Sequence, residues 1–139
     1  MNYEPYRPEI RFADLDTMGH VNNAIYLSYF EQARIHFFRQ FFGGKWDWRK
    51  HGILVARNEI DYKVSILLRD DVRIYVGCKH MGSKSFTLDY RITVERDGQE
   101  VVASTGASVL VCFNHSDGKT APIPDEWRTV FEQIPSVTA

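Results

Sequence analysis

Apolar side chains fall on one face of a helix over residues 22–42 and then on alternate positions over most of the remaining chain. Between Asn22 and Phe42 no Pro or Gly interrupts, and Tyr26, Phe30, Ala33, Phe37 and Phe41 recur at intervals of three or four. Leu27 and Phe38 widen that stripe, while Glu31, Gln32, Arg34 and Arg39 fill polar positions. An oxygen on Asn22 or Asn23 suits the capping of the first turn, and Gly43-Gly44 suits the stop. The pattern predicts one long helix of about five to six turns.

Beyond it the period becomes two, and β-branched and aromatic residues alternate with polar ones. Strands are expected over Leu54–Val64, Asp71–Met81, Ser85–Glu95 and Glu100–Phe113, with a shorter one upstream at Pro8–Phe12. Gly82-Ser83 offers a turn, and Asp97-Gly98 is a strong hairpin signal because both residues tolerate positive φ. The stretch from Asn114 to Lys119 reads as loop, and Pro124-Asp125 starts a short helix through Phe131. Strand, long helix and four closely joined strands make an α+β fold: an antiparallel sheet with one helix on a face. So aromatic a helix needs the sheet curled around it, since burying each such side chain is worth roughly 1.5–3 kcal/mol.

Composition changes this picture little. One domain over residues 1–139 is expected, with a core of about 8–113 and a C-terminal extension of 114–139, because neither repeats nor a linker call for a second. A net charge of −1 without like-charge blocks gives no footprint for nucleic acid or an anionic membrane. No long apolar run and no leader-like start is seen, so no membrane association and a cytoplasmic location are the expectation. Cys78 and Cys112 lack metal or redox spacing and read as reduced core residues; no metal site or cofactor is expected.

Chemistry concentrates just before the helix, in Arg11-Phe12-Ala13-Asp14-Leu15-Asp16-Thr17-Met18-Gly19-His20-Val21-Asn22-Asn23. The opening turn of a helix has N–H groups without intrahelical partners and a partial positive charge, so it polarises a carbonyl oxygen. Asp16 beside that array supplies either a nucleophile toward an acyl carbon or a base toward water, and the residues leave both open. The N–H of Asn23 is the expected oxyanion donor, Gly19 lets the chain turn toward a ligand, and His20 is suited either to position water or to bond the substrate carbonyl. Asp14 reads as loop support.

These residues resemble the signature of the 4-hydroxybenzoyl-CoA thioesterase branch of the hotdog superfamily. That branch has Asp-x-Asp-x-x-Gly ahead of a long helix carrying Glu-x-Ala-Arg, here Asp14 to Gly19 and Glu31 to Arg34. The run from Gly82 to Tyr90 is similar to the family's later strand start, and the element order agrees from about Pro8 to Phe113. The resemblance implies a hotdog fold, a curled antiparallel sheet wrapped around a central helix, and thioesterase activity on an acyl-CoA or acyl-ACP. It implies Asp16 as the catalytic group, with Asn23 and His20 beside it, and a homodimer or homotetramer with sites between subunits. Gly19, Val21, Asn22, Tyr26, Glu31 and Lys84 are the expected substrate contacts, with Lys79 a further candidate for the CoA phosphates. The stretch from His20 to Asn23 also resembles acyl-ACP thioesterases, but Met18 replaces their Asn, and His80 and Met81 stand where an acidic residue precedes Gly82.

Blander roles exist for each: Asp16 as a turn residue, His20 as a loop histidine, Asn22 and Asn23 as caps, and Glu31 as a group fixing the helix. Two other functions share this pattern. A hotdog enoyl-thioester hydratase or dehydratase also joins Asp to His, at a longer spacing than Asp16 to His20, and a non-catalytic module would bind the thioester without product. Acyl length, aromatic or aliphatic, does not follow from the residues.

Overall fold

The computed structural model describes residues 3–43 and 46–139. Its long helix, α1 (Ile25–Phe42), opens later than the apolar periodicity predicts, because the Asn22 side chain accepts the Ala24 N–H at 2.9 Å and holds a turn ahead of it. Neither asparagine caps the helix itself; the N-cap is Ala24, without a side-chain bond. At the far end Gly43, at φ 73°, passes its N–H to the Arg39 carbonyl at 3.0 Å, while Gly44 lies outside the described residues. The buried face comprises Tyr26, Tyr29, Phe30, Ala33, Phe37 and Phe38. Leu27 is exposed, against expectation, since one step from Tyr26 turns it about 100° away and Tyr29 takes the inward position.

After α1 come four long strands: β1 (Gly52–Tyr62), β2 (Val72–Met81), β3 (Ser85–Arg96) and β4 (Gln99–Asn114). They pair antiparallel in the order β1-β4-β3-β2. The β3–β4 hairpin turns at Asp97 and Gly98, with φ of 54° and 76° as that dipeptide predicts. The loop expected after Asn114 contains a further short strand, β5 (Lys119–Thr120), paired with the end of β4. The strand expected at Pro8–Phe12 is absent. Tyr6 makes one antiparallel bridge to Ile74, after which the Asp14 carboxylate takes the Arg11 N–H at 3.0 Å and winds Phe12–Asp14 into a 3-10 turn.

Alternate β3 residues Phe86, Leu88, Tyr90, Ile92 and Val94 join α1 in the buried core. The Phe30 ring stacks on Tyr90 with centroids 4.2 Å apart and lies so near Gly106 that a Cβ there would sit 2.7 Å from it. The second helix, α2 (Asp125–Phe131), carries Trp127 and Phe131 into the same core beside Phe38, Phe42 and Phe86. Cys112 is buried and Cys78 half-buried, both free thiols pushed up to about 11 by burial.

β1 is an edge strand. Its register against β4 slips between Val55 and Arg57, a bulge that puts Ile53 and Val55 on one side of the slip and Asn58, Ile60 and Tyr62 on the other. Most of β1 is exposed, including Leu54 at 42% and Val55 at 45%. No helix among the described residues is long and apolar enough to cross a membrane.

Candidate active site

The loop between the 3-10 turn and α1 is built around a buried carboxylate. Asp14, 1% exposed, accepts the Arg11 N–H, the Arg11 guanidinium at 2.9 Å and the Tyr29 hydroxyl at 2.9 Å. Burial alone raises its pKa, but these donors outweigh burial and hold the carboxyl below its ordinary value. Burial, with the same bond to Asp14, pushes the Tyr29 phenol up. The Asp14 carbonyl takes the Asn22 N–H at 2.8 Å, so the anchor ties the loop's start to its end.

That depressed pKa makes stability depend on pH. An unfolded Asp titrates near ~3.9, so the stabilisation is complete above that pH and is lost as the pH falls through the lower native value. Tyr29→Phe removes one donor to the charged form, worth about 1.5–3 kcal/mol. Thermal melts across pH should show the variant less stable than wild type at neutrality, with the gap narrowing below about pH 4.

Asp16 is held within the loop it starts. One of its oxygens, Oδ1, accepts the N–H of Met18 at 2.9 Å and of His20 at 3.2 Å, while its main chain bonds to His20 at 2.8 Å and to Gly19 at 3.1 Å. Gly19 completes this tight loop at φ +79°, a left-handed conformation that other side chains rarely adopt. Oδ2 carries no hydrogen bond among the described residues.

At the helix opening the amides are unequally used. Ala24 N–H goes to the Asn22 side chain and Ile25 N–H to the Asn22 carbonyl, both at 2.9 Å, whereas the Asn23 N–H has no acceptor among the described residues. Asp16, His20, Val21, Asn23 and Tyr26 line a cleft of about 140 Å³ together with Tyr62, Lys63, Val64 and Ser65. The structure thus joins five of the expected residues. Periodicity placed Tyr62 at the end of a strand and gave no sign that this strand end faces the helix start; its contribution is visible only once β1 is paired.

Other expected contacts lie elsewhere. Asn22 spends its side-chain oxygen on Ala24, and Gly19 shapes the loop without lining the cleft. Glu31 lines a larger cavity of about 560 Å³ with Arg34, Ile35 and Phe38 of α1 facing Ile53 and Val55 of β1. Lys84 precedes Ser85, which pairs through β4 with the opposite end of β1 from Tyr62. The run from Ser85 to Ile92 on β3 separates those ends by roughly 23 Å at the rise of a strand, so Lys84 does not reach the cleft of its own chain. Lys79 lines a hollow of about 290 Å³ with Glu59, Asp61 and Thr138. Among the described residues no group of three His, Cys, Asp or Glu is placed to hold a metal ion.

A family model described as the thioesterase-like superfamily matches residues 10–131. The chain belongs to that superfamily. The match spans the Asp16 loop, α1 and the whole sheet, and relatives and structural neighbours of the chain are named thioesterases, hydrolases acting on thioester bonds. The long-chain acyl-CoA thioesterase FadM of Escherichia coli is 30% identical, over 91% of this chain and 95% of its own. A Thermus thermophilus thioesterase solved with coenzyme A and Zn is 37% identical, with a TM-score of 0.76 over 94% of this chain and 92% of that one. A predicted thioesterase of Bacillus stearothermophilus, 30% identical, superposes with a TM-score of 0.81 over 95% and 96%. The fold is therefore the hotdog fold, with the curled antiparallel sheet packed on α1.

Proposed function

We propose that this chain, as a single hotdog domain, hydrolyses acyl-CoA thioesters to free acid and thiol at the Asp16 cleft. The observation that carries the reading is the unengaged N–H of Asn23, at the opening of α1, on a residue that lines the same cleft as Asp16. With the carbonyl oxygen on that N–H, negative charge developing there is met by a fixed donor; losing one such donor typically costs about 10²–10³ in rate. Asp16 Oδ2 then acts by one of two routes. As nucleophile it bonds to the carbonyl carbon, the C–S bond breaks with the thiolate leaving, and water opens the resulting anhydride. As base it takes a proton from water, whose oxygen adds to the carbon before the thiolate leaves. His20, beside Asp16, orients that water. Single turnover in water enriched in oxygen-18 tests the first route, which alone labels the Asp16 carboxylate, when water opens the anhydride at the aspartyl carbonyl.

Coenzyme A as carrier is supported by the names of FadM and of the Thermus relative. A long acyl group suits the gap between α1 and β1, which flank both the Asp16 cleft and the larger cavity; Asn23 and Phe38 lie about 22 Å apart by helix rise. A second copy of the chain belongs to this reading. The β1 edge exposes Leu54 and Val55 while α1 exposes Leu27 and Ile35, an apolar border suited to a symmetric partner, which would also bring its own Glu31 and Lys84 toward this cleft. Light scattering on the purified protein should return a dimer or tetramer.

The test of activity is a thiol-release screen over acyl-CoA chain lengths together with benzoyl-CoA and an enoyl-CoA. Release of thiol and acid, greatest for long chains, is expected. Hydration of the enoyl-CoA with its thioester intact, or saturable binding without product, would overturn the reading.

A further inference from the structure

We infer that Tyr62 is a positioning residue that aims the Asn23 N–H at the substrate carbonyl. The inference rests on thioester hydrolysis at the Asp16 cleft and adds a residue to it. In a regular helix the Leu27 N–H would bond the Asn23 carbonyl, but here it goes to Ala24 at 3.3 Å. The Asn23 carbonyl instead accepts the Tyr62 hydroxyl at 2.9 Å, its one donor among the described residues. Asn23 thus lies outside the intrahelical ladder on both its N–H and its carbonyl. The peptide plane that carries the Asn23 N–H is held on its near side, where the Asn22 carbonyl accepts the Ile25 N–H. Tyr62 holds the next plane and so fixes Asn23 from its other side, and a donor contributes to catalysis only when it is aimed in advance.

Tyr62 is itself well held. Its ring meets Tyr26 edge-on, with centroids 4.9 Å apart and planes at 85°, and Tyr26 is fully packed on α1. The main chain around it is pinned to β4: Tyr62 pairs with Ser104, the Ser104 hydroxyl donates to the Asp61 carbonyl at 2.9 Å, and the Lys63 and Val64 N–H groups both reach the Ala103 carbonyl. Desolvation raises the phenol pKa, so the group remains a donor across the working range. The hydroxyl therefore transmits the position of the sheet to the amide that opens the helix.

The experiment compares wild type, Tyr62→Phe, Tyr62→Ala and Asp16→Asn in steady-state turnover of dodecanoyl-CoA, each with a thermal melt. Tyr62→Phe keeps the ring on Tyr26 and loses only the hydroxyl. The expected result is a fall in kcat of about tenfold with KM within twofold, less than the loss of a whole oxyanion donor. Tyr62→Ala should lose at least as much kcat. A kcat for Tyr62→Phe within twofold of wild type, while Asp16→Asn is inactive, overturns the role of Tyr62 and leaves the cleft reading standing. So does a loss expressed mainly in KM, or one that appears only in Tyr62→Ala. An active Asp16→Asn instead brings down the cleft reading and this inference with it.

Discussion

Asp16→Asn is expected to abolish thiol release, lowering turnover by about 10²- to 10⁴-fold, the range over which a positioned acid or base contributes. The fold should be spared. The amide keeps an oxygen in the place of Oδ1, so the Met18 and His20 N–H groups retain their acceptor and the loop its shape. What changes is Oδ2, replaced by an NH2 that neither attacks a carbonyl nor takes a proton from water. Thiol release measured beside a thermal melt checks both halves, and an active variant would remove Asp16 from the mechanism.

Trp127→Ala should cause the largest loss of stability. Trp127 is fully buried, with ring centroids of Phe38 at 5.1 Å, Trp46 at 5.3 Å, Phe42 at 5.7 Å and Phe86 at 6.2 Å. Truncating such a ring leaves a cavity and typically costs about 3–5 kcal/mol, which for a chain of this size lowers the melting temperature by roughly 10–20 °C. Its indole N–H has no hydrogen-bond partner among the described residues, so Trp127→Phe removes an unsatisfied group along with some volume and should cost much less. Equal melting temperatures for the two variants would show that the aromatic cluster does not depend on this ring.

The α1 helix and the four long strands were legible because their apolar periods run for many residues. Their order implied an antiparallel sheet with one helix on a face, and the resemblance carried by Asp14 to Gly19 and Glu31 to Arg34 implied the hotdog fold. The Asp16 loop was legible as a motif. What the pattern missed were features decided by one polar side chain or by tertiary contact. Asp14 turns Arg11 to Asp14 back on itself where alternation predicted a strand, and Asn22 delays the helix by taking the Ala24 N–H. Tyr62 belongs to a strand by its period and to the cleft by β1 pairing, which no local window contains. Ile123, Trp127, Phe131 and Ile134 fill the core from a segment too short for its periodicity to say what it packs against.

On the outer side of the sheet a polar burial was equally hidden. Asp89 is enclosed by the end of the chain: the Ser136 and Thr138 hydroxyls and the Val137 and Thr138 N–H groups all donate to its carboxylate. Alternation alone would have left that residue in solvent.

The bulge in β1 also limits how the protein meets its neighbours. The slip between Val55 and Arg57 breaks the exposed backbone into two short runs of different phase, and Arg57 and Glu59 place charges along the second. An incoming strand that matches one run is out of step with the other. Lateral growth into a continuous ribbon of many chains is thereby discouraged, while a short pairing that ends on itself remains open.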